Sequence, residues 1–434
     1  MLNRRRSRSS RRPGLAPSAR TAVARLASVV VVAVAVTACV RPAPVAFPPA
    51  VPIGSPAFVR TLEAYTAAPV TPNNRVDQLV NGGQIFSAVL GAIGTAQRSI
   101  TYAQYFWDEG TIGQLVARSL AERCAAGVAV TVLLDGFGAL GMPDDHRRML
   151  EQAGCQVTTF RPLTTTPLPE VNHRQHARLL VVDGRIGFTG GSGISKAWVS
   201  SGAAENVWRE TDARLEGPAV AALQAAFVRR WTEATGKMLG GEAYFPALAP
   251  AGDVPVQIVD GRPWHGQRSI RDLFLLCFGG ARQSVLVSNP YFLPDASLRH
   301  ALIDAARRGV RVVLLLPGKI DYRLVRRASR AEFGALLSAG VEVYEYQPSR
   351  LHAKTAVIDG QIAIIGSANL DPRSLELNAE VELVAHSPVV AAHLTRAFGD
   401  DVARSRRVDL VGWRSRPITQ RLLEVLLHPL RPQL

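Results

Sequence analysis

Two stretches of this 434-residue chain repeat the same succession of strand and helix signals, and no other feature limits its fold as strongly. Ser99-Ile100 and Ser284-Val285 each open an apolar strand pattern. A helical pattern follows in both places, Val116 to Gly127 and Leu298 to Gly309, and then an apolar strand, Val128–Leu134 and Val310–Leu316. A second helix pattern ends at Ala153-Gly154 and at Ala339-Gly340, each before a further alternating strand. Strands alternating with helices predict α/β layers on mostly parallel sheets. Two copies predict two similar α/β/α domains related by a pseudo-twofold axis, with any shared site at their interface. The Gly- and Pro-rich run from Thr235 to Pro255 is the expected joint, giving a first domain over 59–240 and a second over 241–434.

The formal charge of +15 needs the first residues to explain it. Residues 1–38 carry eight arginines and no acid, so without them the charge falls to +7. Leu26 to Ala38 is uncharged and rich in Val and Ala, a length that suits a signal-peptide core and is short for a spanning helix. Val36-Thr37-Ala38-Cys39 resembles the lipobox of bacterial lipoproteins, in which the cysteine is acylated; an uncleaved anchor and simple cleavage are the alternatives. Residues 39–58 are Pro-rich and read as a stiff tether. With that leader the working domains are expected in the cell envelope, anchored on the periplasmic or extracytoplasmic side. Cys124, Cys155 and Cys277 lie in apolar patterns and read as buried thiols, with a Cys124–Cys155 bridge left open. No metal-ligand spacing stands out, and no cofactor is expected.

The chemistry concentrates at corresponding points of the repeat. The second copy contains His352, Lys354, Asp359, Gly366, Ser367 and Asn369 in the spacing H-x-K-x4-D-x6-G-S-x-N. The first contains His176, Arg178, Asp183, Gly190, Gly191, Ser192 and Gly193, so Arg stands for Lys, Gly191 for Ser and Gly193 for Asn. This pattern resembles the signature of the phospholipase D superfamily. Only four of the fifty basic residues are lysine, so an arginine at 178 is also what the composition would produce. On a strand, residues two apart share a face, so His352 points with Lys354 and His176 with Arg178.

Two imidazoles and two cations around one phosphodiester make a coherent reaction centre. A neutral imidazole attacks phosphorus without the repulsion an anionic nucleophile meets, and the second, protonated, delivers a proton to the departing alkoxide. Fixed cations and hydrogen-bond donors stabilise the charge that spreads over the equatorial oxygens. The resemblance implies that carboxylates orient the histidines across the two halves, Glu210 with His352 and Glu380 with His176. It further implies Ser367, Asn369, Ser192 and Asn378 as substrate-binding residues. Asp183 and Asp359 join them as motif members, although their place further along the strand argues a supporting role.

Wider stretches, among them Asn289-Pro290-Tyr291-Phe292-Leu293-Pro294-Asp295 and Gly366 through Ser374 to Asn378 and Glu380, resemble bacterial cardiolipin synthases. That resemblance implies a membrane-associated phosphatidyltransferase working through a phosphohistidine on phosphatidylglycerol, with phosphatidylethanolamine as a further substrate. The rival readings are a phospholipase D-type hydrolase releasing phosphatidic acid, a phosphodiesterase or nuclease of the same superfamily, and a lipid-binding protein with a spoiled first site. A net +7 on the mature chain suits an anionic leaflet better than nucleic acid, and no nucleic-acid partner is expected. The extra segment Leu163–Asn172, with Tyr291-Phe292-Leu293, is expected either as an apolar lip or as an ordinary loop, and Ile418–Leu427 as an amphipathic segment packed on the core, with membrane insertion as the alternative.

Overall fold

A computed structural model of the chain describes Val45 and residues 51–199, 207–266, 268–319 and 329–417. The leader, Cys39 and the segment Ile418–Leu427 lie outside the described residues. Fifteen strands are present among those described: β1 (Thr71–Val80), β2 (Ser99–Gln104), β3 (Ala129–Asp135), β4 (Gln156–Phe160), β5 (Arg178–Val182), β6 (Ile186–Gly190), β7 (Thr211–Glu216), β8 (Val254–Gly261), β9 (Ser284–Ser288), β10 (Arg311–Pro317), β11 (Glu342–Tyr346), β12 (Thr355–Ile358), β13 (Ile362–Gly366), β14 (Glu380–His386) and β15 (Ser405–Val408). They form one sheet in the order β15-β11-β10-β9-β12-β13-β14-β8-β1-β7-β6-β5-β2-β3-β4. Apart from the edge strand β15, the order reads as the same half-sheet twice, joined back to back where β8 meets β1. This is the expected pseudo-twofold pair of α/β/α halves, fused edge to edge into one compact unit.

The sheet departs from the expectation of mostly parallel strands. Parallel pairing is confined to β2-β3-β4 and β9-β10-β11, where helical crossovers supply the long connection that parallel neighbours need. The strands that follow each histidine form antiparallel hairpins instead. Asp183-Gly184 and Asp359-Gly360 turn them, with φ of 53° and 64° in the first and 51° and 62° in the second. Two positive values in succession define a type I′ turn, which joins only antiparallel strands.

Alternate residues of the central strands fill different cores. In β10, Val312, Leu314 and Leu316 face one side and Val313 and Leu315 the other. Helices 220–235 and 388–403 cover the face shared by both halves, with Phe227, Trp231 and Leu394 in one continuous core. On the opposite face each half has its own layer, helices 81–95 and 111–125 for the first and 269–280 and 296–307 for the second.

The boundary of the predicted tether moves. Ser55 caps a helix over Pro56–Thr66 by accepting from the Phe58 amide at 3.1 Å, with Pro56 in the first turn. Ile53, Phe58 and Leu62 are buried against Leu273 and Phe274 of the second half. Residues 51–58 therefore belong to the folded body, and the helix next to them packs on the second domain rather than the first. A Ser-Pro helix start looks like linker when prolines are merely counted. Cys124, Cys155 and Cys277 are free thiols.

Candidate active site

Two short bridges between the halves build the site. Ala379, just before β14, pairs with Gln175, and Arg209, just before β7, pairs with Leu351. The amides of His176 and Ala177 donate to the Ala379 carbonyl at 3.0 and 2.9 Å, and those of His352 and Ala353 to the Arg209 carbonyl at 2.8 and 3.2 Å. Each histidine segment is thus stitched to the acid-bearing segment of the opposite half. The side chains repeat the exchange: His176 Nδ1 lies 2.7 Å from Glu380 Oε1, and His352 Nδ1 lies 2.6 Å from Glu210 Oε2. A carboxylate partner makes Nδ1 the protonated nitrogen, which leaves Nε2 to act. A buried arginine braces each glutamate through its own carbonyl: Arg209 Nη1 donates to that of Glu210, and Arg230 Nη2 to that of Glu380 at 3.1 Å. Both arginines are paired in turn, Arg209 with Asp401 at 2.8 Å and Arg230 with Asp260 at 2.7 Å.

The two cations sit inside this frame. Lys354 Nζ donates to the His352 carbonyl at 2.6 Å and lies 2.8 and 3.1 Å from the ring nitrogens of His352. Burial pushes Lys354 down to about 7, with Glu210 opposing. Arg178 Nη1 donates to the His176 carbonyl at 2.5 Å, its guanidinium stands 5.3 Å from the centre of the Tyr105 ring, and its Nε is buried with no hydrogen-bond partner. The Tyr105 ring meets the His176 imidazole edge-on at 4.6 Å. Burial, then the Arg178 charge, pushes His176 down to about 4. Burial, then Lys354 and Arg178, holds His352 well below its ordinary value. Both imidazoles are accordingly neutral near pH 7 in this state.

Ser367 Oγ donates to Glu380 Oε2 at 2.6 Å, so it holds the acid that holds His176. Asn369 Oδ1 and Asn378 Oδ1 are buried with no hydrogen-bond partner. Ser192 is engaged by Asp212: its hydroxyl donates to Asp212 Oδ2, and the Gly191 amide donates to Asp212 Oδ1 at 2.9 Å. The expectation of Ser192 as a substrate-binding residue gives way to a structural bond with Asp212. Asp183 and Asp359 stand just past the far ends of β5 and β12, some 16 Å along the strand from Arg178 and Lys354. Asp183 accepts from the amides of Gln97, Arg98 and Ser99, with closest distances of 2.9, 2.7 and 2.9 Å. Asp359 accepts from Arg282, Gln283 and Ser284 at 2.8, 2.7 and 2.9 Å. The motif aspartates therefore fasten the hairpin turn to the start of the neighbouring strand, away from the paired histidines, a structural role in place of the expected substrate-binding one.

A narrow cleft opens on His352 between Trp208, Tyr291, Lys319 and Arg350. Arg350 lies over the Trp208 ring at 5.1 Å. Of the expected apolar lip, Tyr291 lines this cleft, whereas Phe292 and Leu293 are buried. Leu163 and Leu168 are exposed on the extra segment of the first half. Among the described residues no cluster of His, Cys, Asp and Glu is placed to hold a metal ion.

A family model described as cardiolipin synthase, phospholipase D-like domain, matches residues 89–231 and 275–402, one match in each half. The chain belongs to this family of the phospholipase D superfamily. It is 32% identical over 386 residues to cardiolipin synthase 1 of Bacillus anthracis, covering 87% of this chain and 76% of that one. It is 32% identical over 365 residues to the major cardiolipin synthase of Bacillus subtilis, covering 83% and 76%. Among solved structures, phosphatidylserine synthase of Haemophilus influenzae shares the fold with a TM-score of 0.64 at 12% identity, covering 85% of this chain and 96% of that one.

Within this phospholipase D-like frame, four site residues escaped the sequence reading. Asp212 and Glu382 stand two residues after the paired glutamates on β7 and β14, on the same face, and that spacing was the available signal. Burial foremost pushes Asp212 up to about 7 and Glu382 well above the usual carboxylate range. Trp198 and Trp208 flank His352 at ring distances of 5.3 and 5.1 Å. No spacing rule marks them, because neither lies on a helix or strand.

Proposed function

We propose that the protein is a membrane-associated, cardiolipin-synthase-like phosphatidyltransferase. It acts on phospholipid phosphodiesters through a phosphohistidine, with the second histidine as general acid and base. The observation that carries this reading is the crossed pair of dyads, His176 with Glu380 and His352 with Glu210. Each carboxylate holds the Nδ1 of one imidazole and leaves its Nε2 free to react, and in this reading both serve one phosphate, as a double displacement needs. One neutral imidazole forms the N–P bond as the P–O bond to the first alcohol breaks. The other supplies that alkoxide with its proton, then removes a proton from the incoming alcohol as that oxygen displaces the imidazole. Lys354 and Arg178 stabilise the charge on the transferring group. A bound phosphodiester anion raises the pKa of its imidazole neighbours, which is how one of two neutral histidines takes up the proton it must deliver.

Phosphatidylglycerol is the proposed donor, with a second phospholipid headgroup, phosphatidylethanolamine included, as an acceptor. The relatives named cardiolipin synthase support this choice. The arginine-rich leader and the Ala38-Cys39 junction support attachment to the membrane by a lipid anchor on the extracytoplasmic side. Among the described residues no helix is long and apolar enough to cross a membrane. Purified protein with phosphatidylglycerol vesicles should yield cardiolipin and glycerol. Phosphatidic acid as the sole product would make the protein a hydrolase, and no lipid conversion would refute the reading.

A further inference from the structure

The first motif differs from the second at two glycines, and both differences meet at one tryptophan. In the second half Ser367 Oγ holds Glu380 at 2.6 Å. In the first half the corresponding residue is Gly191, which has no hydroxyl, yet Glu210 is not left without that bond. The indole Nε1–H of Trp198 donates to Glu210 Oε2 at 3.1 Å, the same oxygen that takes His352 Nδ1. Trp198 is 2% exposed, so this is a buried charge-assisted bond shielded from solvent. Its ring also stands edge-on to the His352 imidazole, at 5.3 Å and 84°.

The glycines make the room for this arrangement. A Cβ on Gly191 would lie 2.6 and 2.7 Å from the oxygens of Glu210. A Cβ on Gly193, which replaces the motif asparagine, would lie 3.0 Å from two carbons of the Trp198 ring and 2.9 Å from Phe106 Cβ. A Cβ on Gly82 would collide with the Trp198 carbonyl at 2.0 Å. The segment itself is pinned by the Trp208 amide, which donates to the Ala197 carbonyl at 2.8 Å. Gly193 thus leaves room for the indole, Gly191 for the carboxylate it bonds, and Gly82 for the Trp198 backbone.

We infer that Trp198 is the positioning residue of the Glu210–His352 dyad, its indole N–H doing for the first half what the Ser367 hydroxyl does for the second. The inference rests on the reading of His352 as a reacting group. It makes the first motif a rebuilt site instead of a degenerate one.

Trp198→Phe tests it, because the variant keeps a ring and removes the donor. The groups facing His352 are Glu210, Lys354, Arg178, His176 and Arg350, and those facing Glu210 include Lys354, Arg178 and Asp212. None of these changes in the variant. Loss of a donor to a buried carboxylate should lower kcat for phosphatidyl transfer roughly tenfold, with KM unchanged. Burial already pushes Glu210 up, and the Trp198 bond opposes that. The acid limb of the pH–rate profile should therefore move to higher pH. The low-field Nδ1–H resonance of His352, read on the full chain without lipid, should shift as well. Wild-type kcat, pH limb and resonance in Trp198→Phe would overturn the inference. The resonance tests it even where wild-type protein fails to transfer a phosphatidyl group, so the two failures are told apart.

Discussion

The two halves of this molecule solve one geometric problem with different side chains. Both place a histidine beside the acid of the other half, at 2.7 Å in one case and 2.6 Å in the other. Around that shared distance, the second half uses Lys354, Ser367 and Asn369, whereas the first uses Arg178, Trp198 and Gly193. The comparison separates what the reaction needs from what merely supports it. Imidazole, carboxylate and a cation recur; the group that steadies the carboxylate does not. It also separates motif from mechanism, since both motif aspartates turned out to secure backbone turns.

Removal of either imidazole should break the symmetry least, because both are needed. His176→Ala and His352→Ala are each expected to lower transfer by about 10³-fold or more, measured as cardiolipin formed from labelled phosphatidylglycerol. A variant with near-wild-type activity would show that one half is only a scaffold. Next in size are Glu210→Gln and Glu380→Gln, each expected to cost roughly 10²-fold in kcat, with the loss tracking the histidine of the opposite half. In a double variant such as Glu380→Gln with His176→Ala, the two losses should not multiply, whereas Glu380→Gln with His352→Ala should lose more than either alone.

The two cations differ in what pH does to them. Lys354 is protonated below about 7 and loses its charge above, so kcat/KM for the free enzyme should fall as pH rises through 7. Lys354→Arg should cost roughly tenfold at pH 7, from the change of shape, and should flatten that alkaline limb because a guanidinium stays charged. An unchanged limb would show that Lys354 is not the group titrating. Restoring the motif asparagine in the first half is expected to harm rather than help. Gly193→Asn drives a Cβ against the Trp198 ring and Phe106 Cβ, and should cost about 1–3 kcal/mol in urea unfolding along with several-fold activity. The smallest effect on catalysis belongs to the turn aspartates. Asp183→Asn and Asp359→Asn should each lose about 1–3 kcal/mol of stability and leave kcat near wild type in whatever protein remains folded.

The repeat was legible because apolar strands and glycine-terminated helices leave a strong pattern. Gly127 and Gly309, with φ of 88° and 90°, end helices where the two copies match. The antiparallel hairpins were not, because β12 and its neighbours are short apolar runs that look alike in either direction. The seam between the halves was the hardest part to see. β1 reads Thr71-Pro72-Asn73-Asn74-Arg75, which looks like a turn, and Asn73 does adopt a φ of 65°. It serves as a strand because it lies between two half-sheets. The buried Asn74 staples that seam, accepting from the Ala219 amide at 2.8 Å and donating to the Val254 carbonyl at 3.2 Å. Within the site, the histidines and their crossed acids followed from the motif and the family resemblance. Trp198 did not, since its role depends on a contact with Glu210 and on the space that Gly193 leaves for its ring, neither of which a spacing rule marks.

In the proposed reaction one phosphatidyl group passes through a histidine of this shared site. The most direct measurement is rapid quenching, at alkaline pH, of protein turning over phosphatidylglycerol, followed by peptide mass spectrometry of the trapped adduct. A phosphatidyl adduct on His176 or His352 is expected, lost when that histidine is replaced. Cardiolipin formation with no adduct on either histidine, or with the adduct on another residue, would contradict it.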